Sequence, residues 1–330
     1  VKNSEMGDQS LHKYKARIVL GGNNIKQSDG KFAIFNDVGN TPATMSAART
    51  LMALNSVFPG LKMLQPDCLK AYVQAKLPSD CPKTYVRLPK SWWPDHFYKF
   101  KDPVCPLLVA LYGHPRAGDI WHNKLESILK SKGFSIIEGR PSVYYKRANG
   151  KLCVMVCYVD DLLFLGDDTL GAEIASIRRD IAMEDPSPLS RYLGCGHNVS
   201  EMKVGGSLIT TTEFDMRDYF RAAASAFYED TGLTPKSAST PAPADIPLPE
   251  VLALIKRPGV YGDEAAHYLM KLLYGARIAA PWLIVPVQRP ASHVHSWNGE
   301  CDRRLVRLHD FVYGSPDLVL TGVLSDLDAD

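Results

Sequence analysis

The residue pattern predicts an α+β fold: an antiparallel sheet backed by helices, with helical patterning prevailing toward the C-terminus. Three observations carry that expectation. Residues 152–166 hold two apolar runs separated only by Asp160-Asp161, the pattern of two buried strands joined in a tight acidic hairpin. Residues 117–132 set Ile120, Trp121, Leu125, Ile128 and Leu129 at helical spacing and stop at Gly133. After a proline-rich stretch at 234–249, helical spacing returns at 263–280 and 300–313.

Taken in order, residues 1–12 are polar. Lys15 to Leu20 alternates and ends in Gly21-Gly22, which predicts a strand closed by a turn. Residues 42–57 read as a helix with Thr41 as its N-cap and Pro42 at its first position. Leu61 to Tyr72 reads as a strand running into a helix, and Tyr85 to Pro89 as a short strand before the Trp92-Trp93-Pro94 loop. Residues 170–183 have the pattern of an amphipathic helix. A further strand pair is expected in 189–210, around Tyr192-Leu193-Gly194. The prolines at 235, 241, 243, 247 and 249 mark a linker, and no internal repeat is visible.

Composition narrows the function classes. With 38 basic and 36 acidic residues the net charge is only +2, so contact with nucleic acid has to come from local placement of charge. The seven cysteines are odd in number, scattered and without a C-x-x-C pair, which fits a reducing intracellular compartment rather than a disulfide framework. The apolar runs are too short for a bilayer span. The chain starts without Met and stops in Leu-Asp-Ala-Asp, as expected of a piece of something longer. G-x-x-x-x-G-K-[ST], H-E-x-x-H and G-x-S-x-G are absent, so nothing supports P-loop, zincin or hydrolase-elbow chemistry. His293, His295 and Cys301 lack a fourth metal ligand at suitable spacing, and Cys195 and His197 around Gly196 read as loop residues.

Carboxylates are the strongest chemical signal. Adjacent Asp160 and Asp161, held between apolar strands, set two like charges side by side, and a divalent cation with a preference for hard oxygen ligands removes the conflict. Turn chemistry is the plainer reading of the pair alone, and a helix N-cap that of Asp67 alone. Converging, the three would support in-line phosphoryl transfer on two metal ions.

Tyr158-Val159-Asp160-Asp161 is the Y-x-D-D box of reverse transcriptases, and Asp67-Cys68-Leu69-Lys70-Ala71-Tyr72 resembles their first aspartate motif, D-x-x-x-A-[FY]. Between them, Ala110-Leu111-Tyr112-Gly113 and Trp121 look like the A-L-Y-G segment of the Ty1/copia-type retrotransposon polymerase. Arg191-Tyr192-Leu193-Gly194, Ser239-Thr240-Pro241 and the segment 320–329 resemble its later landmarks, so the likeness covers nearly the whole chain. The resemblance implies a right-hand polymerase fold with an antiparallel palm sheet backed by helices, fingers and a mainly helical thumb. The implied divisions are fingers at 1–60, palm at 61–212 with a fingers insertion at about 78–110, thumb or connection at 213–313, and the start of a truncated ribonuclease H domain at 314–330.

It also implies roles. Asp67, Asp160 and Asp161 would be catalytic and hold two Mg²⁺ ions, with Mn²⁺ as a substitute. Tyr72 would lie under the nucleotide sugar and reject a 2′-hydroxyl; a core tyrosine is its other reading. Lys15 and Arg17, two apart on a strand face, would clamp the triphosphate, or simply form a solvated face. Trp92, Trp93 and Tyr98 beside Lys90, Lys99 and Lys101 would grip template, or pack as a surface loop. Partners would be an RNA or DNA template with primer, dNTPs and the rest of a Pol polyprotein (ribonuclease H, integrase), without a membrane. The setting would be cytoplasmic and particle-associated, with the nucleus as an alternative. Three departures keep rivals open. Arg116 stands where the family has a nucleotide-contacting Gln and would bind the nucleotide as its substitute, Asp119 stands where it has Arg, and Pro66 would disturb a central strand unless the chain bends there. The rivals are a degenerate transposon remnant, a palm module that binds nucleic acid without polymerising it, and a metal-dependent nuclease.

Overall fold

The computed structural model describes residues 16–35, 42–58 and 60–329, and the chain divides into two units, 16–189 and 190–328. In the first unit the elements run α1 (Met45–Val57), β1 (Lys62–Gln65), β2 (Tyr85–Val86), β3 (Cys105–Pro106), α2 (Ala117–Ser131), β4 (Ser135–Ile136), β5 (Val143–Ala148), β6 (Lys151–Tyr158), β7 (Asp161–Gly166), α3 (Leu170–Arg178) and β8 (Ser187–Pro188). Six of the strands form an antiparallel sheet in the order β4-β5-β6-β7-β1-β8, and β2 pairs separately with β3.

Strand alternation sorts the two faces of this sheet. Cys153, Met155, Cys157, Leu162 and Phe164 point toward α2 and α3 and share a core with Trp121, Leu125, Leu129, Ile174 and Ile177. The opposite face carries Met63, Val154, Val156, Leu163 and Leu165, all buried, and α1 packs beside β1, β6 and β7. Because both faces are covered, β6 and β7 read as continuous apolar runs rather than as alternating ones.

Several local expectations are corrected. Residues 16–21 form no strand: Leu20 N–H donates to the Tyr112 carbonyl at 2.7 Å, but no ladder partner extends the pairing among the described residues. Lys15 and Thr41 lie outside the described residues. The first helix begins at Met45, and Thr44 is its cap, accepting from Ala47 N–H. The helix expected after Asp67 is a single 3₁₀ turn, Ala71–Gln74, entered through Lys70 at φ 53°. Helix α3 ends at Arg178, earlier than its pattern suggests, because the following residues turn back to pair with the segment after β1.

The second unit holds β9 (Arg191–Tyr192), β10 (Cys195–Val204), β11 (Ser207–Asp215), α4 (Arg217–Thr231), α5 (Leu248–Lys256), α6 (Gly262–Ala279), α7 (Ile284–Ala291), α8 (Gly299–Gly314) and β12 (Leu320–Ser325). Its antiparallel sheet runs β12-β11-β10-β9. The β10–β11 hairpin turns through Gly205 and Gly206, both at positive φ, the backbone that a two-residue hairpin loop of this twist requires. Helices α4, α6, α7 and α8 enclose Phe227, Leu269, Leu272, Val287, Leu305 and Leu308. Among the described residues no helix is long and apolar enough to cross a membrane.

One buried polar group gives this core a pH dependence. His309 is 1% exposed, stacks on Phe227 at 3.8 Å, and places Nδ1 2.9 Å from the Leu305 carbonyl. Burial, aided by the positive charge of Lys271, pushes its pKa down to about 4. The unfolded chain would take up this proton near pH 6.5, before the folded chain does, so stability falls as pH drops from 6.5 toward 4. The loss should total about 3 kcal/mol. Urea denaturation across that range should show it, and His309→Phe, which keeps the stack and removes the titration, should abolish that part of the slope.

Candidate active site

The β6–β7 hairpin is closed by the pair Tyr158↔Asp161, leaving Val159 and Asp160 as the two loop residues. Val159 has φ 62°, a left-handed value that a β-branched residue rarely adopts and that Gly usually supplies in this turn. Two groups hold it there. The indole N–H of buried Trp121 donates to the Val159 carbonyl at 2.8 Å, and the Cys157 thiol reaches the same oxygen at 3.5 Å. Trp121→Phe should therefore cost about 1–2 kcal/mol, read by urea denaturation, because that carbonyl loses its stronger donor.

Asp67 arrives from the neighbouring strand. In the β1–β7 ladder Leu64 faces Phe164, and the same register continues past the ladder to an isolated bridge between Asp67 and Asp161. Pro66 falls just beyond the last residue of β1, where its missing N–H interrupts no ladder bond, so a strand followed by one proline accommodates what looked like a conflict. Cys68 N–H then donates to the Asp160 carbonyl at 3.2 Å. The far side is stitched as well: Glu184 N–H donates to the Asp67 carbonyl, Leu69 N–H to the Ala182 carbonyl, and the Gln74 amide bonds to Leu69 and Ala182.

Directly paired residues project from the same face of a sheet, so Asp67 and Asp161 are like charges opposite one another, both half-buried. The donor chemistry suits a hard cation. Cys68 and Cys157 lie beside the carboxylates, but burial, followed by neighbouring negative charge, pushes the Cys68 thiol far up and that of Cys157 up to about 12. The carboxylate oxygens of the aspartates are donors of the kind that Mg²⁺ or Mn²⁺ prefers. Among the described residues no group of three or more His, Cys, Asp or Glu is arranged to hold a metal ion. Backbone pairing thus gathers the three aspartates without forming a ready side-chain cage.

The other expected site residues separate. Tyr72 lies near Asp160: burial, then that carboxylate, raises the pKa of its hydroxyl, and its ring meets Tyr112 at 4.8 Å. Exposed Arg17 is near enough to Tyr112 to act on its hydroxyl. Arg116 precedes α2, its Nη2 donates to Asp119 at 3.1 Å, and the Asp80 carboxylate also acts on it. Asp119, the other departure from the family pattern, is therefore the ion-pair partner of the first, Arg116. Two contributors were missed in the sequence. Tyr112 was quoted only as part of a motif, and buried His114 accepts the Arg116 N–H on Nδ1, which leaves Nε2–H to donate to Thr84. Of the aromatic loop, Trp92 and Tyr98 are exposed, while Trp93 donates its indole N–H to the Leu88 carbonyl.

A family model described as reverse transcriptase (RNA-dependent DNA polymerase) matches residues 1–215. The chain belongs to the reverse transcriptase family. Two relatives from Arabidopsis thaliana are similar to it: the Retrovirus-related Pol polyproteins from transposons RE1 and RE2, each 26% identical, over 189 and 190 residues respectively. Each match covers 57% of this chain and 12% of the relative. Their names agree with the retrotransposon branch that the motifs resemble, and the mixed fold with antiparallel sheets is consistent with a reverse transcriptase domain. No solved structure matches.

Proposed function

We propose that this chain is the polymerase portion of a copia-type Pol polyprotein and extends a primer with deoxynucleotides on an RNA template. The observation that carries the proposal is the register pairing of Asp67 with Asp161, beside Asp160, at the tip of a strained hairpin. Two bound divalent cations would lower the charge on the triphosphate and activate the primer 3′-hydroxyl. In this reading Asp67, Asp160 and Asp161 would turn their carboxylates to the cations once these bind, Tyr72 would meet the sugar, and Arg17, with Lys15, would meet the phosphates. Residues 1–60 would then serve as fingers, 61–212 as palm with its insertion at about 78–110, 213–313 as thumb or connection, and 314–330 as the start of a truncated ribonuclease H domain.

A basic groove in the second unit supports a nucleic-acid partner. It is about 840 Å³ in volume and is lined by Lys256, Arg257, Arg289 and Trp297 among others. Clustered cations of this sort supply the salt-dependent attraction that a net charge of +2 does not predict.

Primer extension on an RNA template with Mg²⁺ tests the proposal. Incorporation of dNTPs that depends on template and metal is the expected result. Duplex binding without extension would mark a non-catalytic module, and degradation of labelled nucleic acid without dNTPs would mark a nuclease.

A further inference from the structure

Tyr112 belongs to the A-L-Y-G segment without a role given to its side chain, and three separate interactions converge on it. Its ring meets the Tyr72 ring at 4.8 Å with the planes inclined by 57°, and both side chains are only partly buried. Its carbonyl accepts the Leu20 N–H at 2.7 Å, which ties the segment carrying Arg17 to this point. Burial and then the Asp160 carboxylate push the pKa of its hydroxyl up, and the Arg17 guanidinium, near enough to act on it, pulls the other way.

The neighbouring backbone explains why Tyr112 is held in register. Gly113 sits at φ 86°, and a Cβ there would collide with the Leu20 carbonyl oxygen; a Cβ on Gly22 would collide with the Gly113 carbonyl oxygen. Two main chains therefore touch without side chains between them, as only glycine permits. Segment 16–22 is thus clamped to the loop beside Tyr112 although it forms no strand.

We propose that Tyr112 is a positioning residue for nucleotide selection: its ring braces Tyr72 from the side, and its backbone anchors the segment that presents Arg17. A lone tyrosine at the mouth of a site changes rotamer readily, and a gate that swings aside rejects nothing. A second ring in tilted contact removes that freedom, because inclined aromatic pairs gain attraction beyond their buried area. Tyr112 thereby sets how strictly the sugar is read without touching the 2′-position itself. The inference rests on the polymerase reading of the same site.

The test compares the full chain with Tyr112→Phe, Tyr112→Leu and Tyr112→Met. The readout is the ratio of kcat/KM for a dNTP to that for the matching rNTP. Circular dichroism confirms folding, and either aliphatic variant suffices. Phe keeps the ring and should leave the ratio within about twofold of wild type, whereas Leu or Met should lower it about tenfold. In a Tyr72→Ala background the aliphatic variants should lower it no further, since Tyr112 acts through Tyr72. An unchanged ratio in a folded aliphatic variant overturns the inference while leaving the polymerase reading intact, as does an equal loss in Tyr112→Phe. A wild-type chain that extends no primer overturns the polymerase reading, and this inference with it.

Discussion

Asp160→Asn should abolish primer extension, lowering the rate by about a thousandfold or more, with little change in stability. Asn is nearly the same size, and the bond that the backbone makes here, from Cys68 N–H to the carbonyl of residue 160, does not involve the side chain. What is lost is one of the negative charges that would hold the divalent cations, a contribution of several kcal/mol to the transition state they would stabilise. Thermal stability should hold or rise, because one of the clustered like charges is gone. Asp167→Asn is the informative contrast. Asp167 follows the same hairpin, accepts from Leu152 N–H, Thr169 N–H and the Thr169 hydroxyl, and is held down to a pKa of about 2, chiefly by the Thr169 backbone bond. It is a capping carboxylate, so its loss should loosen the turn into α3 and leave the chemistry in place. Equal extension by wild type and Asp160→Asn would remove that aspartate from the mechanism.

The second large effect is expected at Tyr72. Tyr72→Ala should let ribonucleotides in, reducing discrimination against them by about a hundredfold, while dNTP incorporation continues. The expectation comes from position: the ring stands beside Asp160, where the sugar of an incoming nucleotide would pass, and Tyr112 limits its movement. Steric rejection of this kind needs a wall that does not yield, so removing the wall should change selectivity far more than rate. Competition between labelled dNTP and rNTP at one template position measures it. Unchanged discrimination would leave Tyr72 a packing residue of the neighbouring core.

Much of this is legible in the sequence alone. The hairpin around Asp160 and Asp161 declared itself through two apolar runs that the chain can bury only as central strands. Helix α2 declared itself through Trp121 and the apolar positions after it, and α6 and α8 through the same spacing. Less was visible where pairing over long distances decides the outcome. Nothing in Asp67-Cys68-Leu69 announces that Glu184 and Ala182 will bond to it, and those bonds are what end α3 early and leave a 3₁₀ turn where a helix was expected. Residues 16–21 alternate like a strand, yet what holds them among the described residues is the Leu20–Tyr112 hydrogen bond and close backbone approaches at Gly22 and Gly113, a form of anchoring with no periodic signature. Arg116 looked like a substitute for a nucleotide-binding Gln. Its ion pair with Asp119 shows how two departures from a family pattern can answer each other within one turn of helix.

Anomalous diffraction from crystals grown with Mn²⁺, primer-template and a dNTP puts the whole interpretation at risk in a single map. Manganese peaks within bonding distance of carboxylate oxygens from Asp67, Asp160 and Asp161 are the expected result. Manganese bound elsewhere, with Asp67 turned away from the hairpin tip, would contradict it.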